Sequence, residues 1–255
     1  MILKTALLQY SPEWENKEAN RAKITKLLDT TFRGSDLLIM PEMTLTGFSM
    51  DSKGIAESKD GESPEFFSYI ASAYRTSVIG GYVKKSGRSY YNTLVHYSPN
   101  GTLLKEYNKI HPFAYSGEDR HYKAGNRPAV SEFSGWKIGL SVCYDLRFPE
   151  LFRIYAKESV DLIVNIANWP VPRIHHYTHL LKARSIENLC YVAGVNRVGS
   201  DPKSAYNGQS SIYAPLGDEV ITLIEKEQIQ TVALNRDLVL NTKAKFPFLN
   251  DIKLI

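Results

Sequence analysis

The feature that most constrains this fold is a set of short segments that are apolar on both faces, such as LIVNIA at 162–167. A strand with one wet face alternates apolar and polar residues, so such a run is typical of a strand covered on both sides. Helical patterns separate these strands, for example from Pro149 to Lys157. Another helix is predicted to begin with Ser63 as N-cap and Pro64 at the first helical position. The pattern indicates an α/β protein.

Two hairpins interrupt these strand–helix units. Alternating residues flank SPNG at 98–101 and PLGD at 215–218, and turn residues between alternating runs indicate antiparallel strands. The doubly apolar strands need a cover of helices or a second sheet. We therefore predict a two-sheet sandwich with helices outside. A single domain is expected over residues 1–255, because no linker, repeat or low-complexity stretch divides the chain.

Composition excludes several classes of protein. The 31 basic and 27 acidic residues give a net charge of +4, and the basic residues are scattered, so we expect no nucleic-acid partner. No segment approaches the roughly 18 apolar residues of a membrane span, and the start of the chain lacks a signal-peptide cleavage site. Two cysteines, Cys143 and Cys190, are too few for a disulfide framework. We expect a cytoplasmic protein without a membrane partner.

Four residues could carry chemistry, although each also has an ordinary structural interpretation. Cys143, in SVCYDLRFPEL, ends a strand and precedes the helix that Pro149 begins, so it is either a core thiol or a nucleophile beside backbone N–H groups. Glu42 follows a buried strand, at the edge where α/β sheets place their sites. Lys109 ends the second strand of the first hairpin and could stabilise an oxyanion, and Glu118 follows it.

A metal site is the alternative from a different class of enzyme. His175 and His179 are four residues apart and share a helix face, which could chelate a metal. However, the metalloprotease pattern requires Glu where His176 stands, and no third ligand follows at a convincing spacing. A metal-dependent hydrolase therefore remains only as the competing hypothesis.

The segments PEMTLTGF, NKIHPF and VCYDLRFPEL, in that order, resemble the three signatures of the nitrilase or carbon–nitrogen hydrolase superfamily. The resemblance implies a four-layer α–β–β–α sandwich, a homodimer or larger homo-oligomer, and no metal or organic cofactor. It implies Glu42 as general base and acid, Lys109 as oxyanion stabiliser and Cys143 as nucleophile. Glu118 matches a supporting second glutamate. The backbone N–H of Tyr144 would stabilise the oxyanion together with Lys109.

The block ANWPVPRIHHYTHLLKARSIENLCYVAGVNRVG is similar to the amidases of that superfamily, and Tyr144-Asp145 replaces the Trp-Glu of true nitrilases. The whole is most similar to omega-amidases, which use water to release ammonia from 2-oxoglutaramate and 2-oxosuccinamate. Branches that cleave N-carbamoyl compounds or deaminated glutathione stay open.

Substrates that carry a carboxylate require a cation in the site, and the planar fork of arginine suits a carboxylate. Arg147 is the first candidate for this role and Arg173 the second. Trp169 is expected to form a wall of the substrate pocket. At the other end of the molecule, residues 243–255 (AKFPFLNDIKLI follows Lys243) are too apolar for a free tail, so we expect them to pack against a partner subunit.

Overall fold

The computed structural model describes residues 1–254, which form two sheets with helices on their outer faces. The strands are β1 (Ile2–Gln9), β2 (Leu37–Ile39), β3 (Ser77–Ser86), β4 (Ser89–Tyr97), β5 (Leu103–Asn108), β6 (Val130–Phe133), β7 (Trp136–Val142), β8 (Leu162–Ile166), β9 (Tyr191–Val195), β10 (Val198–Ser200), β11 (Ala205–Asn207), β12 (Ser211–Tyr213), β13 (Glu219–Thr222) and β14 (Gln228–Asn235). The α-helices are α1 (Lys17–Thr31), α2 (Ser52–Ile55), α3 (Glu62–Ala73), α4 (Pro149–Lys157), α5 (Ile174–Asn188) and α6 (Arg236–Lys245).

Each large sheet has six strands and mixes parallel with antiparallel pairs. The first has the order β14-β1-β2-β3-β4-β5 and the second β13-β12-β9-β8-β7-β6, while β10 and β11 form a separate hairpin. Both predicted hairpins are confirmed, since β4 pairs antiparallel with β5, and β12 with β13. The parallel pairs β1–β2–β3 and β7–β8–β9 form the centres of the sheets.

The alternation of side chains along β1 shows how the layers are held. Leu3 and Leu7 lie in the core cluster that also contains the second sheet. Ala6 and Leu8 lie in the cluster formed with helices α1 and α3. Helices α4 and α5 cover the outer face of the second sheet. The predicted α–β–β–α sandwich is confirmed, and every helix among residues 1–254 is too short or too polar to span a bilayer.

The predicted start of α3 is wrong by two residues. The helix begins at Glu62, with Gly61 as the N-cap, so Ser63 and Pro64 lie inside its first turn. The carboxylate of Glu57 accepts hydrogen bonds from the N–H (2.6 Å) and the hydroxyl (2.6 Å) of Ser63. An acid outside the helix therefore satisfies the N-terminal donor that a serine N-cap would have served.

The first and last strands of the chain are neighbours in one sheet. Strand β14 pairs antiparallel with β1 along its whole length, and α6 follows it. In the terminal segment that we predicted to contact a partner, Phe248 is 60% and Leu254 99% exposed. The partner contact stays a prediction, and Ile255, the last residue of that segment, lies outside the described residues.

A buried histidine connects the two sheets. His96 on β4 is completely buried; its Nε2 lies 2.7 Å from the Ser77 hydroxyl and its Nδ1 2.8 Å from the hydroxyl of Ser131 on β6. Because Ser77 donates its own proton to the Tyr97 carbonyl (2.6 Å), it accepts from Nε2–H, and Nδ1 accepts from Ser131. The neutral ring is thus fully bonded, and burial lowers the pKa of His96 from 6.5 to about 3.

This lowered pKa predicts a loss of stability in mild acid. As pH falls below 6.5, the unfolded chain binds a proton at His96 that the folded protein does not bind. The free energy of unfolding should therefore fall by up to about 1.4 kcal/mol per pH unit from this group. The free energy of unfolding, measured with urea at several pH values from 6.5 to roughly 5, gives a slope against pH. That slope should correspond to about one proton fewer for His96→Gln than for the natural protein. Equal slopes would contradict the assignment.

Candidate active site

A cavity of about 380 Å³ opens where strands of both sheets end. Cys143, which follows β7, and Asn168, which follows β8, line it. Seven aromatic side chains contribute to its wall: Trp14, Phe48, Phe113, Tyr115, Tyr144, Trp169 and Tyr206. The basic side chains of Arg147, Arg173 and Lys203 also contribute. Concave, largely apolar sites with a few polar groups are typical of small-molecule pockets.

Cys143 stands at a sharp turn between strand and helix. It is partly exposed and begins the 3-10 helix Cys143–Arg147, with a left-handed φ of +46°. Such a φ is uncommon for a residue with a Cβ and is typical of strained functional positions. Helix α4 begins only at Pro149. The 3-10 helix Cys143–Arg147 therefore lies between the thiol and the N-terminus of α4.

A buried carboxylate fixes this turn. Asp145 Oδ2 accepts hydrogen bonds from the N–H of Val142 (2.9 Å) and the hydroxyl of Tyr107 (2.7 Å). Its Oδ1 accepts from the N–H (2.9 Å) and the Nδ1–H (2.8 Å) of His111. The ring of His111 also stacks on Phe148, with centroids 3.8 Å apart. These bonds tie the cysteine turn of the second sheet to the lysine segment of the first.

Glu42 follows β2 at a point where two backbone segments lie very close together. The residue after it, Met43, has a φ of +44°, and its N–H lies against Gly81 of β3. A Cβ at Gly81 would lie 2.8 Å from the Met43 nitrogen and 3.1 Å from Glu42 Cα. Gly81 therefore allows the backbones to approach closely enough for Glu42 to enter the site.

The ammonium of Lys109 lies between two carboxylates, and all three side chains are almost completely buried. Lys109 Nζ lies 3.2 Å from Glu42 Oε1, and 3.0 and 2.8 Å from the two carboxylate oxygens of Glu118. The structure thus brings together the three charged residues that the sequence predicted for the site. Glu42 lies after the end of β2, Lys109 directly follows β5, and Glu118 lies in the connection from β5 to β6.

Neutral donors satisfy the remaining carboxylate oxygens. The amide of Asn92 donates to Glu42 Oε1 (2.7 Å) and Glu118 Oε1 (3.0 Å). The backbone N–H of Asn168 donates to Glu42 Oε2 (2.8 Å), and its side chain donates to the Glu42 carbonyl (2.7 Å). The N–H of Phe113 donates to Glu118 Oε2 (2.5 Å). Charges buried in this way are tolerated because every partner is in place.

The electrostatics of the cluster set the protonation of the lysine and the thiol. Burial alone would lower the pKa of Lys109, but the carboxylates of Glu118 and Glu42 raise it above its usual value. Burial raises the pKa of Glu118, although the Lys109 charge opposes this. For Cys143, burial and then the charge of Glu42 raise the thiol pKa, against the lowering effect of Lys109. The resting site therefore holds an ammonium and a protonated thiol.

The predicted substrate-binding residues line the same cavity. The Cζ atom of Arg147 lies 4.9 Å from the ring centroid of Trp169 and 6.0 Å from that of Tyr144. Arg173 lies with Cζ 5.4 Å from the ring of Phe113, and its carbonyl accepts a hydrogen bond from the indole of Trp169 (2.7 Å). Both predicted arginines therefore reach the cavity.

The histidine pair that could have chelated a metal is used differently. The Nδ1–H of His179 donates to the carbonyl of His175 (2.6 Å), within the helix. Among residues 1–254, no group of three His, Cys, Asp or Glu side chains is arranged to hold a metal ion. The competing metallohydrolase hypothesis therefore has no ligand set in the described part of the chain.

Comparison with known proteins decides the family. The model of the carbon–nitrogen hydrolase family matches residues 4–244. The chain belongs to this family. The resemblance stated from the three sequence segments is confirmed, and so is the class of enzyme.

Individual relatives of this carbon–nitrogen hydrolase cover nearly its whole length. The omega-amidase YafV of Yersinia enterocolitica is 37% identical over 98% of this chain and 96% of its own. The 2-oxoglutaramate amidase of Bacillus subtilis is 28% identical, over 96% of both chains. The solved structure of XC1258 from Xanthomonas campestris, a CN-hydrolase superfamily protein with an arsenic adduct in its active site, is 32% identical. It has a TM-score of 0.94 and covers 100% of this chain and 98% of its own.

Sequence reasoning missed several polar residues of the hydrolase site. Asn92 lies in the middle of an alternating strand, and Asn168 ends an apolar one, so both had the pattern of ordinary strand residues. Asp145 and His111 lie inside the segments VCYDLRFPEL and NKIHPF, but the sequence did not predict their hydrogen bonds. The only available signal was the presence of polar groups within otherwise apolar segments, where burial requires hydrogen-bond partners.

Replacing the carboxylate that fixes the cysteine turn should weaken both fold and activity. Asp145→Asn replaces one carboxylate oxygen by an NH₂ donor that faces two N–H or O–H donors, and it removes the negative charge, so we expect a loss of about 2–4 kcal/mol in the free energy of unfolding. The exposed Asp119→Asn is the matched control. Urea unfolding measures the effect, and an Asp145→Asn protein as stable as the control would show that the network does not fix the turn.

Proposed function

We propose that this carbon–nitrogen hydrolase is an omega-amidase. It would hydrolyse the terminal amide of a small substrate that also carries a carboxylate, such as 2-oxoglutaramate or 2-oxosuccinamate. The observation that carries the proposal is the buried Glu42–Lys109–Glu118 cluster, whose charges act on Cys143. Cys143 in turn lines a cavity that two arginines also line. The names of the relatives from Yersinia and Bacillus, an omega-amidase and a 2-oxoglutaramate amidase, support this substrate class.

In the proposed first half-reaction, Glu42 accepts the proton of the Cys143 thiol as the sulfur attacks the amide carbonyl. Because the thiol pKa is raised at rest, a base must remove the proton during the attack. The carbonyl oxygen then becomes an oxyanion, which the Lys109 ammonium and the backbone N–H of Tyr144 stabilise. Tyr144 is the residue after the nucleophile, so its N–H belongs to the same 3-10 helix.

The tetrahedral intermediate then collapses. Protonated Glu42 gives its proton to the amide nitrogen, the C–N bond breaks, and ammonia leaves a thioester on Cys143. In the second half-reaction, Glu42 removes a proton from water as the water oxygen attacks the thioester carbonyl. Collapse of this second intermediate breaks the C–S bond, releases the carboxylic acid and returns the proton to the sulfur. No cofactor takes part in this scheme.

Glu118 supports the reaction without transferring a proton. Both of its oxygens lie within 3.0 Å of Lys109 Nζ, so it holds the ammonium in position. Its negative charge also helps to keep Lys109 protonated, as the raised lysine pKa indicates. A permanently cationic lysine is required because a neutral amine would not stabilise the oxyanion.

At the far end of the substrate, Arg147 is the proposed partner of the carboxylate. Its guanidinium lies over the ring of Trp169, which leaves its edge available for paired hydrogen bonds. Arg173 is the second candidate. Asp201 also lines the cavity, but its oxygens already accept hydrogen bonds from the Lys203 N–H, the Ser204 N–H and the Tyr206 hydroxyl.

We also propose that the enzyme is a cytoplasmic homodimer. The exposed side chains of Phe248 and Leu254 support a subunit contact at the C-terminal segment, because apolar groups of this size favour burial. A free thiol at Cys143 is compatible with a reducing compartment.

Removal of the nucleophile tests the proposed chemistry. Cys143→Ser should lower the rate of ammonia release from 2-oxoglutaramate by at least about a thousandfold, since a hydroxyl is a weaker nucleophile in the same site. The matched control is Cys190→Ala, which removes the buried second thiol and should retain activity. Circular dichroism checks the fold. Undiminished turnover by Cys143→Ser, or loss of turnover on strong chelation, would reject the scheme.

A substrate series tests the proposed specificity. Steady-state kcat/KM should be highest for 2-oxoglutaramate or 2-oxosuccinamate, by at least about tenfold over the other compounds tested. Those compounds are N-carbamoyl-β-alanine, deaminated glutathione and a simple nitrile, which represent other branches of the superfamily. Equal or faster turnover of the carbamoyl compound or of deaminated glutathione would assign the enzyme to that branch instead.

A further inference from the structure

Arg147 has an unusual set of neighbours for a surface arginine. It makes no ion pair with any carboxylate among residues 1–254. Its guanidinium lies 4.9 Å from the ring of Trp169, and its Nη2 donates a hydrogen bond to Nδ1 of His176 (3.1 Å). A guanidinium has five N–H donors, so this single bond leaves others for a ligand.

The hydrogen bond requires His176 to be neutral, because a protonated ring would present an N–H to the guanidinium. Desolvation and then the positive groups that face the ring lower the pKa of His176. Those groups are Arg147, Arg173 and the neighbouring His175 and His179. The Nδ1 lone pair is therefore available at neutral pH.

Two contacts together define the orientation of Arg147. The cation–π contact holds the guanidinium against the ring of Trp169, but it does not by itself fix the direction in which the N–H groups point. The hydrogen bond from Nη2 of Arg147 to His176 on α5 fixes that direction at one end of the guanidinium. An arginine held by these two contacts loses less conformational entropy when it binds a carboxylate.

We propose that His176 is a positioning residue that orients Arg147 towards the substrate carboxylate and thereby contributes to specificity for acidic amides. This inference rests on the proposed function, since it requires Arg147 to bind that carboxylate. His176 acts through Arg147 and has no part in the bond-breaking steps. The effect of His176 should therefore appear in KM, only with acidic substrates, and only when Arg147 is present.

Single variants test whether the effect of His176 appears in KM and whether it is confined to acidic substrates. With 2-oxoglutaramate, His176→Ala should raise KM about tenfold and change kcat by less than about twofold, as expected for the loss of a hydrogen bond to a charged group. His176→Asn should restore most of the loss, because its Oδ1 can accept the same hydrogen bond. With a neutral amide such as butanamide, kcat/KM should not change. The control, His179→Asn, alters a histidine of the same helix that does not contact Arg147.

A double variant tests whether the effect of His176 requires Arg147, and it separates the inference from the proposed function. Arg147→Met alone should raise KM for 2-oxoglutaramate, and adding His176→Ala should then raise it no further. If Arg147→Met raises KM but His176→Ala does not, or if the two effects multiply, the inference is wrong and the proposed function stands. If Arg147→Met leaves KM unchanged, Arg147 is not the carboxylate anchor, and both the anchor assignment and the inference fail.

Discussion

The structure depends on one buried ammonium group. Lys109 Nζ lies without contact to solvent between the carboxylates of Glu42 and Glu118, and transfer of such charges from water costs several kcal/mol for each ion. The cost is offset only when all partners are in place, which requires strand ends of both sheets to meet at one point. The β2 and β5 ends supply the acid and the lysine, while the β8 end supplies Asn168, whose N–H completes the Glu42 carboxylate.

The same arrangement determines how the proposed nucleophile can work. A cysteine paired with a cationic histidine is held as a thiolate, but here the nearest charges include two carboxylates, and the thiol pKa of Cys143 is raised. Proton removal must then accompany attack, and Glu42, the charged group with the largest effect on the thiol pKa, is the proposed acceptor. The Asp145 network has the complementary task of holding the cysteine turn against the lysine segment.

Local sequence patterns were sufficient for much of this fold. Helix α4 begins and ends at the predicted residues, because Pro149 at the first position and an apolar stripe define it locally. The start of α3 could not be predicted, since Glu57 caps it from outside the helix. Three motifs of the family predicted Glu42, Lys109 and Cys143 as site residues. The hydrogen bonds of Asn92 and His176, in contrast, exist only in the folded chain.

The protonation state of Cys143 is the most direct test of this account. Thiolate absorbance in the ultraviolet can be followed against pH, with Cys143→Ser as the spectral reference. Cys190 will not interfere, because burial raises the pKa of its thiol to about 12. The account predicts no Cys143 thiolate at neutral pH in the substrate-free enzyme. A thiolate signal at neutral pH would show that the buried carboxylates do not control the cysteine, and would contradict Glu42 as the base that activates it.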